Sequence, residues 1–270
     1  MELKDKRVVI TGGAGGIGSA LGKACLSAGA RVFLADRNEI DLSAVTERLG
    51  VKGTKCDVSV EREMQQLVDA ARQSMGGIDV FVSNAGLSLG QPSHAASASN
   101  ADWHQNWQVH VMAHVYAARA LLPEMIERGS GAFVQIASAA GLLNQIGDAA
   151  YSATKHAAVS FAESLAIEHA ADGIHVSLVC PQYVATGLLG LTDADAGSHA
   201  RLLSASNVAD TIVSGVQAGH FMILPHTEVA EYAQRRSRQP DGWLRGMQVL
   251  KDRAEKESAG SGPRGMYRLV

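Results

Sequence analysis

The sequence predicts an α/β fold: a doubly wound parallel sheet with helices on both faces, formed as a single domain. Three observations carry that prediction. Short apolar runs alternate with stretches of helical periodicity from Arg7 to Cys180. The first run passes directly into a glycine-rich turn. Thr11, Asp36, Asp57, Asn84, Ser138 and Pro181 all stand at or just past the ends of the apolar runs. Parallel strands buried on both faces read as continuous apolar runs, and right-handed crossovers bring their C-terminal ends to one edge, where ligands bind.

Taken in order, RVVIT (Arg7 to Thr11) is a β-branched strand. GGAGGIG follows at once, and helical periodicity through Ile17, Leu21, Ala24 and Leu26 runs to Gly29. RVFLAD is the next strand and closes on Asp36. Strand, glycine turn, helix, strand and acid make the arrangement of a dinucleotide-binding βαβ unit. A side chain in the turn would hold the backbone away from a pyrophosphate, to which the helix N-terminus presents unpaired N–H groups.

VKGTKCD is a strand ending at Asp57, and an amphipathic helix follows over about Glu61 to Met75. DVFVS leads into Asn84, Ala85 and Gly86, and a loop then gives way to one long helix from about Asp102 to Arg128, with Pro123 bending its last turns. AFVQIAS is a buried strand ending in Ser138, and the helix carrying Tyr151 and Lys155 runs to about His169. IHVSLVC ends at Pro181. No repeat or low-complexity linker divides the chain.

Composition narrows the function classes. Hydrophobic content of 46% is ample for one core in a chain of this length, and the net charge of −3 comes with no basic patch. Arg235, Arg236 and Arg238 form too short a cluster for nucleic acid and read as a solvated helix face. Cys25, Cys56 and Cys180 are widely spaced in apolar context, and the histidines lack zinc-like spacing. No apolar run approaches the roughly 20 residues needed to span a membrane. Nothing at the start of the chain reads as a signal peptide. The expectation is a metal-free, cytoplasmic protein that binds neither nucleic acid nor membrane.

Tyr151 and Lys155, four residues apart, share one helix face. A phenol beside an ammonium, with the Ser138 hydroxyl facing both, is a device for moving a proton alongside a hydride. The spacing alone is common, so its meaning depends on the strand-end residues around it.

With those residues assembled, the chain resembles the short-chain dehydrogenase/reductase family in its roughly 250-residue form. The resemblance covers about residues 3–190 and rests on TGGAGGIG (Thr11 to Gly18), CDV (Cys56 to Val58), SNAG (Ser83 to Gly86), Ser138, YSATK (Tyr151 to Lys155) and PQYVAT (Pro181 to Thr186). It implies a seven-stranded Rossmann sheet, with the last strand at about His220 to Leu224, and a nicotinamide cofactor. It assigns Gly12, Gly16 and Gly18 to the pyrophosphate turn, with the Ile17 amide near the phosphates. Asp57 and Val58 would flank the adenine, Asn84 and Gly86 would line the ribose side, and Val184 and Thr186 would hold the carboxamide. Asp36 can accept both ribose hydroxyls of NAD but would face the 2′-phosphate of NADP. Like charges 4 Å apart cost about 4 kcal/mol at an effective dielectric of 20. Gly15 stands where NADP-preferring relatives often carry a cation, so NAD is expected rather than NADP.

The same resemblance implies a role for each catalytic residue. Tyr151 would be the general base for alcohol oxidation and the acid for ketone reduction. Lys155 would lower its pKa and hold the nicotinamide ribose, and Ser138 would hold the substrate oxygen. Two positions depart from the family pattern. His110 stands where the family has a relay asparagine that acts largely through its backbone carbonyl, so activity is expected to persist; Asn106, one turn earlier, is an alternative. Gln182 replaces a glycine and adds bulk beside the nicotinamide.

The substrate pocket is expected from residues 87–97, 142–146 and the segment after Thr186. Its leucines and Ile146 suit an apolar body, with His94 or Gln145 available to orient a polar group. The absence of Arg and Lys from the first two segments argues against a strongly anionic substrate. Residues 187–203 read as a lid with glycine hinges. The small residues of the Tyr151 helix permit close packing, and the resemblance implies a homodimer or homotetramer. Residues 1–225 form the cofactor and catalytic portion. Residues 226–270 form a helical extension broken at Pro240 to Gly242, ending in a flexible tail, SAGSGPRG. The function expected is an NAD(P)-dependent oxidoreductase acting on a secondary alcohol or ketone. The alternative, supported only by His110 and Gln182, is a dinucleotide-binding regulatory or structural protein without turnover.

Overall fold

The computed structural model describes residues 1–257 and 266–269. Its strands are β1 (Arg7–Thr11), β2 (Arg31–Asp36), β3 (Lys52–Lys55), β4 (Val80–Ser83), β5 (Gly131–Ile136), β6 (Ile174–Val179), the two-residue β7 (Tyr183–Val184) and β8 (Leu202–Leu203), and β9 (Met222–Ile223). All but β7 and β8 join one seven-stranded sheet in the order β3-β2-β1-β4-β5-β6-β9, and every pairing in it is parallel. β7 and β8 pair with each other. The main sheet reverses direction between β1 and β4, the switch point at which doubly wound folds bind ligands.

The helices are α1 (Gly16–Ser27), α2 (Glu39–Leu49), α3 (Glu61–Met75), α4 (Asn100–Trp107), α5 (Ala113–Arg128), the short α6 (Ala140–Leu143), α7 (Ala149–Glu168), α8 (Ala205–Gln217), α9 (Glu228–Arg238) and α10 (Pro240–Glu257). Side chains alternate between the faces of a strand, which sorts the core into two layers. Val9, Phe33, Phe81, Phe133 and Val176 pack with Leu67 of α3, Leu121 of α5 and Ala162 of α7. Val8, Ile10, Leu34, Val82 and Val134 pack with Leu21 of α1, Leu42 of α2 and Ile212 of α8. Burial on both faces explains why apolar residues dominate the central strands, with Gln135 and Ser177 as buried polar exceptions.

Four expectations change in detail. The long helix is interrupted: Gln108–Met112 form one π-helical turn between α4 and α5. The loop after Ser138 contains α6. Residues 187–203 are two 3₁₀ turns, Gly187–Leu189 and Asp193–Asp195, followed by β8. The break in the extension falls at Gln239 (φ −140°), and Pro240 opens α10, since a fixed φ and a missing N–H suit the first helical position. The segment SAGSGPRG lies outside the described residues. Among the described residues no helix is long and apolar enough to cross a membrane.

Candidate active site

At the C-terminal edge of the sheet the turn between β1 and α1 is held against the end of β4. Gly12 adopts φ +63°, and a Cβ on it would fall 2.9 Å from Ala85 Cα. A Cβ on Gly18 would lie 2.1 Å from the Gly12 carbonyl oxygen. These glycines are therefore required for the turn to close on itself, before any phosphate is considered. Asn84 completes the clamp. Its Nδ2 donates to the carbonyls of Thr11 (2.9 Å) and Gly12 (3.1 Å), while its backbone N–H and that of Ala85 donate to Thr11 Oγ1.

The cleft above this turn has a volume of about 590 Å³ and is lined by Gly12, Gly16, Ile17, Gly18, Asp36, Asp57, Val58, Asn84, Gly86 and Thr186. A Cβ on Gly16 would meet Thr186 Cγ2 at 2.6 Å, so the cleft's two walls touch there. Asp36 accepts the Ala14 N–H at 3.1 Å and the Asn38 N–H at 3.0 Å, which fixes its carboxylate in the cleft wall alongside Arg37 and Asp41. Asp57 Oδ1 accepts from the Ser59 N–H and hydroxyl. A glycine turn at a helix N-terminus, with carboxylates at the far end, fits a dinucleotide: amides for the pyrophosphate and acceptors for ribose hydroxyls.

A smaller cavity of about 120 Å³ adjoins the cleft and shares Ile17, Asn84, Gly86 and Thr186 with it. Ser138, Tyr151, Lys155 and Val184 line this cavity together. α7 delivers two of these side chains, and Asp148 fixes where α7 begins. Buried Asp148 accepts the Tyr151 N–H on Oδ1 at 3.1 Å as the helix cap. Its Oδ2 accepts the Ser88 hydroxyl and the Gly90 N–H, both at 3.0 Å, so the loop after β4 is tied to the same helix start. Lys155 is 3% exposed; its Nζ donates to the Ile136 carbonyl at the end of β5 (3.1 Å) and lies 5.6 Å from the Tyr151 ring centroid. Burial lowers the Lys155 pKa to about 8. It raises that of Tyr151 to about 12, against an opposing contribution from the Ser138 hydroxyl. The depressed tyrosine pKa expected from Lys155 is thus not present in the protein alone. Desolvation is the largest cause, and the Asp148 carboxylate adds to it.

His110 sits in the π-helical turn, fully buried, and lines neither cavity. The Leu87 N–H donates to its Nε2 at 3.2 Å, so that nitrogen carries no proton. Nδ1 therefore holds the hydrogen and donates to Thr154 Oγ1 at 3.0 Å. Thr154 donates in turn to the carbonyl of Ala150 or Tyr151. Burial, with Lys155 and His114 nearby, holds His110 well below the ordinary histidine pKa. The imidazole stands edge-on to Tyr151, 5.2 Å between centroids, and no hydrogen bond joins it to the phenol or the ammonium. Asn106, also buried and lining neither cavity, donates to the Asp102 carbonyl.

Two positions that build the walls of these cavities, Asp148 and His226, carry little signal in the sequence. Asp148 announces itself only as a capping residue three before Tyr151. His226 accepts the Gln182 N–H at 3.1 Å and donates from its other ring nitrogen towards the carbonyls of Tyr183 (3.0 Å) and Arg201 (3.2 Å), holding β7 and β8 in place. Gln182 stands between the catalytic cavity and a third space, about 320 Å³, whose far side is built by α9 and α10. Arg201, from the segment after Thr186, and Arg235, from α9, line that space, so its cations come from outside residues 87–97 and 142–146. Of the arginine cluster, Arg235 and Arg238 are exposed as expected, while the half-buried Arg236 donates to the Leu142 carbonyl and to His156 Nε2.

The chain's likenesses agree with this geometry. The model of the short chain dehydrogenase family matches residues 6–196. The sex determination protein tasselseed-2 of Zea mays is 37% identical over 199 residues, which are 70% of this chain and 58% of the maize protein. The 1-deoxy-11-beta-hydroxypentalenate dehydrogenase of Streptomyces exfoliatus is 32% identical over 84% of this chain and 86% of its own length. Among solved structures, a short chain dehydrogenase/reductase from Burkholderia phymatum in complex with NAD superimposes with a TM-score of 0.80 at 28% identity, covering 89% of this chain and 96% of that one. A 3-ketoacyl-(acyl-carrier-protein) reductase from Brucella melitensis complexed with NADH gives 0.75 at 26% identity, covering 82% and 96%. A protein without turnover finds no support among them. The chain belongs to the short chain dehydrogenase family and is an oxidoreductase of that family.

Proposed function

We infer that this oxidoreductase uses NAD and interconverts a secondary alcohol and a ketone. The observation that carries the reading is that Ser138, Tyr151 and Lys155 line one cavity opening onto the glycine-turn cleft. Bound there, the nicotinamide supplies or accepts the hydride. The chain's own residues handle the oxygen and its proton. Ser138 donates to the substrate oxygen and fixes its place, and the Tyr151 hydroxyl gives that oxygen a proton in reduction or removes one in oxidation. Lys155 uses one hydrogen on the Ile136 carbonyl, leaving two to face the ribose and the phenol. The Tyr151 phenol, in the same cavity, is the group whose proton a cationic nicotinamide held there would help release against desolvation. His110 holds the Leu87 amide against α7 and keeps the cavity wall in register.

NAD is favoured over NADP by charge: Asp36 and Asp41 both line the ribose end of the cleft, and a 2′-phosphate would meet two carboxylates. The solved relatives named for complexes with NAD and NADH support the same choice. The Streptomyces relative, a dehydrogenase named for a hydroxy-bearing compound, supports an alcohol substrate. Assembly as a homodimer or homotetramer is part of this reading. Trp107, Ile126 and Ile167, on α4, α5 and α7, are 46%, 37% and 78% exposed. A reducing cytoplasm suits three buried, unpaired cysteines.

The test is a panel of hydrophobic secondary alcohols with NAD, followed by NADH absorbance, with NADP in parallel. Turnover with NAD is expected. NADH binding without turnover of any alcohol, or of any ketone in reverse, would sink the reading.

A further inference from the structure

The space beside the catalytic cavity shares Gln145, Gln182 and Tyr183 with it. Most of its wall is apolar, with Leu143, Ile146, Trp243 and Met247 among the contributors. One edge differs. Arg201, Tyr232 and Arg235 line it, and no aspartate or glutamate does. Arg201 donates to the Tyr232 hydroxyl oxygen at 2.7 Å, with its guanidinium 5.8 Å from the ring centroid. That hydroxyl has accepted a bond, so its own hydrogen is free to point elsewhere. Glu228 approaches Arg201 Nε only to 3.9 Å and lies outside the lining. The Arg235 guanidinium has no ion pair or hydrogen bond among the described residues.

Among the described residues Arg201 has only the Glu228 carboxylate, outside the lining, as counter-ion and the exposed Arg235 has none, so the two cations at the edge of an apolar space are matched by an anion on an apolar body. A planar fork beside a phenol donor fits a carboxylate. Arg201, Tyr232, Arg235 and Trp243 all lie beyond residues 6–196, so this edge falls outside the segment that the family model matches.

We propose that the substrate is an apolar hydroxy or keto acid whose carboxylate is held by Arg201, Tyr232 and Arg235. Its body fills the space under α10, and its reacting carbon passes Gln182 to reach Ser138 and Tyr151. The proposal rests on the alcohol–ketone reading for what happens at Tyr151, and its test avoids turnover.

The probes are decanoate and its neutral isostere decanamide, titrated calorimetrically into the protein saturated with NADH. Decanoate is expected to bind at least tenfold more tightly. Arg235→Met should reduce that ratio at least tenfold, and Arg235→Lys should keep part of it. Equal binding of the two probes, a ratio unmoved by Arg235→Met, or tighter binding of decyl phosphate than of decanoate would overturn the proposal. Such a failure leaves the alcohol–ketone reading standing. Arg235-dependent binding of decanoate by a protein that turns over nothing would do the reverse.

Discussion

The Leu87 N–H donates to His110 Nε2 at 3.2 Å, and this bond fastens the loop after β4 to the π-helical turn between α4 and α5. The imidazole passes the connection on through Thr154 Oγ1. Replacing it with a methyl group leaves a backbone donor without its partner, at a cost of about 1–3 kcal/mol. His110→Ala should therefore lower the denaturation midpoint and raise KM, while the shape of the kcat–pH profile stays as in the wild type, because the imidazole bonds Leu87 and Thr154 and neither the phenol nor the ammonium. A profile that loses a limb in His110→Ala would place the side chain in the proton path instead.

Two buried histidines one helical turn apart predict a particular loss of stability in acid. His110 is held well below 6.5, and His114 is lowered to about 3, both chiefly by burial. Unfolded histidines bind protons near 6.5, so below that pH the unfolded state takes up more protons than the native one. Stability from these groups is complete above about pH 6.5 and is lost as the pH falls towards 3, by about 1.4 kcal/mol per pH unit for each histidine that stays neutral. Urea midpoints measured between pH 7 and 4 should show this slope, and His114→Leu should flatten it. An unchanged slope in that variant would remove His114 as a cause.

Tyr151 keeps its proton in the protein alone, held by burial up to about 12. Alcohol oxidation needs the deprotonated phenol and ketone reduction the protonated one, so kcat/KM should rise with pH in the first direction and fall in the second. Tyr151→Phe should cost about 10²–10⁴-fold in both, with NADH still bound. Retained turnover in Tyr151→Phe would transfer the proton chemistry to another group.

Asp148 is a cap and a clamp at once, accepting from Tyr151 on one oxygen and from Ser88 and Gly90 on the other. Asp148→Ala should destabilise by about 1–2 kcal/mol, the usual range for a lost cap, and should lower kcat/KM as Tyr151 loses its fixed start of helix. Asp148→Asn keeps a carbonyl oxygen for the cap but turns the other acceptor into a donor, so it should recover stability in part. If thermal melts show no difference between Asp148→Ala and the wild type, the cap contributes nothing measurable.

These predictions draw unequally on what the sequence displayed. The strands and the residues at their ends were legible because burial on both faces leaves largely apolar runs, and the glycine turn because Gly12 and Gly18 admit no side chain. The π-helical turn at His110 left no trace in a helical pattern, since one inserted residue shifts register without changing composition. Arg235 read only as surface charge, and exposed it is, but its place at the edge of the space beside Gln182 depends on how α9 and α10 fold back, which no local pattern encodes. Family likeness was equally silent there, as Arg201 and Arg235 both lie outside residues 6–196.

Cofactor choice turns on Asp36, whose two oxygens are already braced by the Ala14 and Asn38 amides. A braced carboxylate cannot swing aside for a phosphate, and Arg37 beside it is the only nearby cation lining the cleft. The wild type should therefore use NAD at far lower concentration than NADP. Asp36→Asn removes the charge but keeps the shape, and Arg37 is then free to meet a phosphate, so the ratio of kcat/KM for NAD over NADP should fall at least tenfold, equivalent to about 1.4 kcal/mol. A wild type that prefers NADP, or a ratio untouched by Asp36→Asn, would mean that Asp36 serves the turn through Ala14 and takes no part in reading the ribose.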